Sequence, residues 1–134
     1  MGADRPRWIR PTALFRSSLT NMADIVSGPP ADSPRSFLDD STRAVVALPS
    51  VVIGRGDYLP GWRWSRHAGP QPGRPADRHV GYVLSGTMWV RSAGGEERAV
   101  SAGEAFEVGP GHDAWVEGDE PCVALDITPR SANG

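Results

Sequence analysis

His79-Val-Gly-Tyr-Val-Leu-Ser-Gly-Thr-Met-Trp-Val-Arg-Ser92 decides the fold. Two runs rich in β-branched and aromatic residues meet at Ser85-Gly86, where glycine supplies the positive φ that a tight hairpin turn demands. Ala93-Gly94-Gly95 marks a second such connection directly after them. Working outward, the same pattern of short apolar runs ended by Gly, Pro or Asp extends in both directions. It predicts strands over Arg43–Leu48, Val51–Tyr58, Trp62–His67, His79–Ser85, Thr87–Ser92, Glu97–Val100, Ala105–Val108, Asp113–Glu117 and Cys122–Thr128. Turn residues recur about every 8 to 12 positions, and no run carries a 3.6-residue apolar period over a helix-like length. The expectation is an all-β domain, an antiparallel sandwich or a closed barrel.

Composition limits what such a domain does. The chain has 134 residues, enough for one domain, and its 16 glycines and 13 prolines call for many turns and little helix. A net charge of −2, from 14 basic and 16 acidic side chains, leaves no electrostatic footprint for nucleic acid or anionic lipid. The most apolar stretch, Ala44 to Ile53, is broken by Pro49 and Ser50 and falls short of the roughly 20 residues a spanning helix needs, so no membrane partner is expected. Cys122 is the single cysteine, which fits a reducing compartment; the expected localisation is cytoplasmic.

Residues 1–21 carry Arg5, Arg7, Arg10 and Arg16 against Asp4, but Ala13-Leu14-Phe15 is their longest apolar run, too short for a secretory signal. Residues 27–36, Ser-Gly-Pro-Pro-Ala-Asp-Ser-Pro-Arg-Ser, read as an extended lead-in because proline lacks an amide donor. The expected organisation is a disordered or extended segment over 1–36, a folded domain over 37–130 and a flexible end over 131–134.

Two segments sharpen the reading. Leu59-Pro-Gly-Trp-Arg-Trp-Ser-Arg-His67, a Pro-rich loop and His79-Val-Gly-Tyr-Val-Leu-Ser-Gly86 form the first; Gly103-Glu-Ala-Phe-Glu-Val-Gly-Pro-Gly-His-Asp-Ala-Trp115 is the second. In this order they resemble the two motifs of the cupin superfamily, over about residues 43–128. The resemblance implies a single antiparallel jelly-roll β-barrel, whose members often hold a divalent metal in the barrel mouth. The ligand positions depart from the family pattern. His67 fits the first histidine, Gly69 falls at the second, His79 stands where a glutamate belongs, and Ala114 takes the place of the last histidine, with His112 two residues earlier.

Strand parity offers a replacement set, because residues two apart share a face. His79 shares a face with Gly81, Val83 and Ser85; His67 with Arg63 and Ser65; His112 with Ala114. His67, His79 and His112 would then converge on one mouth as three imidazoles, a donor set suited to Fe, Zn, Ni or Cu; no organic cofactor is implied. Beside this stands the plainer reading, in which His67 bonds a loop carbonyl and His112, in a Pro-Gly turn, faces solvent. Asp113 reads as a turn or surface residue, Cys122 as a small packing residue, and Asp126 lies on either the pocket wall or the solvent side. If His67 points inward, Trp62 and Trp64 point outward and leave an apolar patch for the N-terminal lead-in or a second copy to cover, which predicts a homodimer.

Two functions stay open. One is a metal-dependent dioxygenase, isomerase or decarboxylase acting on a small polar or acidic metabolite. The other is a non-catalytic or sensory barrel that binds a small-molecule ligand without metal.

Overall fold

Alternating side chains and frequent turns produce an almost wholly β architecture. In the computed structural model the described residues are 24–30, 34–68 and 77–130. The expectations for residues 1–21, for 131–134 and for Gly69 lie outside them. In chain order the elements are β1 (Arg35–Ser36), β2 (Thr42–Ala47), β3 (Val51–Tyr58), α1 (Trp64–His67), β4 (His79–Ser85), β5 (Thr87–Arg91), β6 (Glu97–Ser101), β7 (Ala105–Val108), β8 (Asp113–Trp115) and β9 (Cys122–Pro129). All ladders are antiparallel. The larger sheet has the order β1-β2-β3-β9-β4-β7 and the smaller β6-β5-β8. The fold is the expected antiparallel jelly roll, built as two hydrogen-bonded sheets rather than one unbroken ladder.

The sheets share one core. Val83, Cys122 and Ala124 of the larger sheet meet Met88, Val90 and Val100 of the smaller, and Val83 and Cys122 are fully buried. On β9 the inward face is Cys122, Ala124 and Asp126, while Val123, Leu125 and Ile127 are half-buried on the other side. An aromatic cluster closes one end: Trp62 lies 4.3 Å from Tyr58 and 5.4 Å from Phe37, ring centre to ring centre.

Two expectations are corrected. Ser85-Gly86 is not a hairpin. β4 pairs with β7 and β9 while β5 pairs with β6 and β8, so the chain turns a corner from one sheet to the other. Gly86, at φ 76°, has the Pro121 carbonyl where a Cβ would stand, so only glycine fits this corner. The hairpin is the next connection, through Ala93-Gly94-Gly95, with Ser92 N–H bonded to the Glu96 carbonyl.

The predicted strand Trp62–His67 is instead the single helical turn α1. The tryptophan spacing imitates strand alternation, but Asp113 reaches across from β8 and accepts the Ser65 N–H at 3.0 Å and the Ser65 hydroxyl at 2.7 Å. A carboxylate placed there satisfies an amide that a short helix leaves without a partner. Strand parity therefore does not apply to this segment. Trp62 is 3% exposed, inside the core, and Trp64 packs half-buried against it. The apolar patch expected at these two tryptophans is covered within the chain itself.

Candidate functional site

A cavity of about 310 Å³ opens on the inner face of the larger sheet. Its floor comes from β2, β3 and β9. Arg43 on β2 stands opposite Gly56 on β3, and Gly56 stands opposite Ala124 on β9. Asp126 is opposite both Gly54 and Gly81. Cross-strand neighbours on one face approach within about 5 Å, so this register brings residues from three distant stretches together.

The glycines make the room. A Cβ on Gly54 would lie 2.5 Å from Arg43 Nη2, and a Cβ on Gly56 would overlap the Tyr58 ring and hydroxyl. Glycine inside a strand weakens it and marks a place where another group must come close. Here the groups are the Arg43 guanidinium and the Tyr58 phenol. Gly81 serves Phe106 likewise, whose ring edge lies 2.6 Å from where a Cβ would be.

Arg43 and Asp126 form a two-pronged ion pair, Nε to Oδ2 at 2.8 Å and Nη2 to Oδ1 at 2.6 Å. The Asp126 side chain is only 6% exposed and the Arg43 side chain 27%. Hydrogen bonding to Asp126 raises the Arg43 pKa against the lowering effect of burial. Burial likewise drives the Tyr58 phenol well above its ordinary value, so the phenol stays protonated.

The structure brings two of the three histidines together. His79 and His112 have ring centres 5.6 Å apart, and both line the cavity. His79 also stacks on Phe106 at 6.3 Å. Burial lowers the His79 pKa, with His112 and Arg43 acting in the same sense and Asp126 opposing, so the ring is neutral at pH 7. His112 is buried rather than solvent-facing, and its Nδ1 lies 3.0 Å from the Gly109 carbonyl. A carbonyl only accepts, so Nδ1–H donates and Nε2 is left as the ring's acceptor. His67 takes a different place. It ends α1, its Nδ1 accepts the Arg63 N–H at 2.9 Å, and it is not among the residues lining the cavity.

This donor set does not fit the divalent ion that the resemblance implies. Among the described residues no group of three or more His, Cys, Asp or Glu side chains is arranged to hold a metal ion. Asp126, the carboxylate whose charge acts on His79, has both oxygens engaged by a guanidinium, whose fixed positive charge opposes a second cation.

Asp113, read from sequence as a turn or surface residue, caps α1 and pairs with Arg63 at 3.0 Å. Asp126 lies on the pocket wall, which resolves the choice that parity left open. Cys122 is fully buried, and burial pushes its thiol up to about 11, as a packing residue requires. Sequence reasoning passed over Arg43 and Tyr58. The alternating Gly54-Arg-Gly56-Asp-Tyr58 inside β3 is the signal that points to them.

Fold and site together define a small antiparallel jelly-roll domain with a pocket walled by aromatic, histidine and arginine side chains. A family model, Cupin_2, cupin domain, matches residues 65–128. That match, over just under half of the chain, and the jelly-roll fold together support the cupin superfamily. No curated protein matches it significantly. Among solved structures, a Cupin 2 conserved barrel domain protein from Salinispora arenicola is 15% identical at a TM-score of 0.57, over 81% of this chain and 92% of that one. The polyketide cyclase RemF from Streptomyces resistomycificus is 18% identical at 0.56, over 78% and 79%. KdgF from a Halomonas species is 20% identical at 0.55, over 81% and 98%. At such identities the likeness is one of fold. No helix among the described residues is long and apolar enough to cross a membrane.

Proposed function

We propose that this cupin domain binds a small organic ligand in the pocket of its larger sheet, and does so without a metal ion. The observation that carries this reading is the Arg43–Asp126 pair on the cavity wall beside only two imidazoles. The guanidinium engages both oxygens of a carboxylate that a metal centre would need open. Phe37, Tyr58, Trp62, Trp64 and Phe106 supply the apolar surface that a cavity of this size uses to enclose a ring-sized molecule. His79, neutral at pH 7, and His112 add hydrogen-bonding groups that orient it.

The test uses tag-free full-length protein dialysed against EDTA and titrated calorimetrically with 2-naphthol, a neutral ring probe. Binding that persists in EDTA and weakens about tenfold in Trp64→Ala is expected. Near-stoichiometric Fe, Ni, Zn or Cu that disappears in the His67→Ala/His79→Ala double variant, together with loss of binding in EDTA, overturns the reading. That result would establish the metal site on His67, His79 and His112 instead.

A further inference from the structure

We infer that the ligand is a monoanionic aromatic acid whose anionic group is held between Arg35 and Arg43. The inference rests on the pocket reading above and adds the chemistry of the ligand. Arg35 and Arg43 are direct cross-strand partners on β1 and β2, and both line the cavity. Side chains at such a pair share a face with Cβ atoms about 5 Å apart, and like charges there repel. Only one of the two charges is balanced inside the protein. Arg43 is neutralised by Asp126, whereas Arg35 donates only to the Ala68 carbonyl, a neutral acceptor, and has no carboxylate partner among the described residues. The Arg43 Nη1 also has no protein acceptor among the described residues, since Nε and Nη2 serve Asp126. Two guanidiniums on one face of the sheet, one of them without an ion pair and both with unused donors, form a receptor for one carboxylate-like group, which removes the repulsion and takes up the free N–H groups.

The surroundings define the rest of the ligand. The Arg35 guanidinium lies 4.9 Å above the Phe37 ring, which fixes the cation at the edge of the Phe37–Tyr58–Trp62 cluster. A molecule bound at the arginines therefore projects its body onto aromatic faces. Phe37, Tyr58 and Trp62 offer this wall two polar groups, a phenol hydroxyl and the unpartnered Trp62 indole N–H, too few to satisfy the hydroxyls of a polar body such as a sugar. A flat ring stacks there; a chain of hydroxyls leaves its own groups unsatisfied.

The experiment compares 2-naphthoate, 2-naphthamide and octanoate by calorimetry on the full chain in EDTA. The amide keeps the shape and lacks the charge; octanoate keeps the charge and lacks the ring. 2-Naphthoate is expected to bind about tenfold more tightly than either, as a charge-assisted contact and a stacked ring each contribute. Arg35 is exposed, so Arg35→Gln leaves the core intact; it should bring 2-naphthoate to the level of 2-naphthamide, and Arg35→Lys should restore part of the difference. Equal affinities for naphthoate and naphthamide, or an Arg35→Gln variant that keeps the preference, overturn the anion assignment. Octanoate binding as tightly as naphthoate overturns the ring assignment. In each of these cases 2-naphthol binding would leave the pocket reading standing, whereas failure of 2-naphthol and all three acids and amides to bind overturns both.

Discussion

Gly54 and Gly56 shape the pocket by what they lack. With no Cβ on the inner face of β3, the guanidinium of Arg43 and the ring of Tyr58 lie directly against the strand. Adding one methyl group at Gly56 forces the Tyr58 ring away from a buried position, and overpacking of this kind costs about 1 to 3 kcal/mol. Gly56→Ala should therefore lower the unfolding free energy by that amount, read as a lower urea midpoint at unchanged slope, and weaken 2-naphthol binding measured beside it. A variant with wild-type stability and affinity would show that Tyr58 has room to move. The histidines teach the complementary lesson at the same scale. His79 points into the pocket as its parity with Gly81 and Val83 predicts, while His112 does so from a loop, where parity has no hold. His67 has its Nδ1 occupied by its own backbone turn, a contact that depends on the helical geometry of α1.

α1 is an element made by a contact from elsewhere. Its four residues have no side-chain cap of their own, and the amide of Ser65 is satisfied by Asp113 of β8. Burial alone would raise the Asp113 pKa, but bonds from Ser65, Ala114 and Arg63 outweigh it and hold the carboxyl below its ordinary value. A depressed folded value means the unfolded chain binds the proton more readily, so this stabilisation is present above about pH 4 and fades as pH falls through the folded pKa. Asp113→Ala should cost about 1 to 2 kcal/mol at pH 7, the scale of a lost cap with its hydrogen bonds. In parallel urea melts the gap between variant and wild type should narrow as pH falls below about 4; a gap independent of pH would mean that the carboxylate charge plays no part. The strands were legible because alternation and turn residues are local properties: β3, β4 and β7 occupy the predicted residues. The Ser85-Gly86 corner was misread because a glycine at positive φ serves a hairpin and a sheet-to-sheet corner equally well.

Across the whole molecule, two sheets enclose a core in which one ion pair is buried. Arg43 and Asp126 are 83 positions apart in sequence and meet only when β2, β3 and β9 are in register. Removing one partner strands the other, so Asp126→Ala should destabilise by about 3 kcal/mol, whereas the double change Arg43→Met/Asp126→Leu should be near neutral. Thermal melts of the three proteins decide this; a double variant as unstable as the single one would mean that packing, not charge, holds the site. The candidate site was half legible: the histidines and Asp126 could be named, but not which of them share a cavity, nor that Arg35 and Arg43 are cross-strand partners lining it. Jelly-roll architecture was readable without coordinates because turn spacing and β-alternation act between near neighbours along the chain. The pocket's composition was not, because it arises from long-range register and from side chains filling the space that glycines leave, neither of which exists until the sheets have closed on each other.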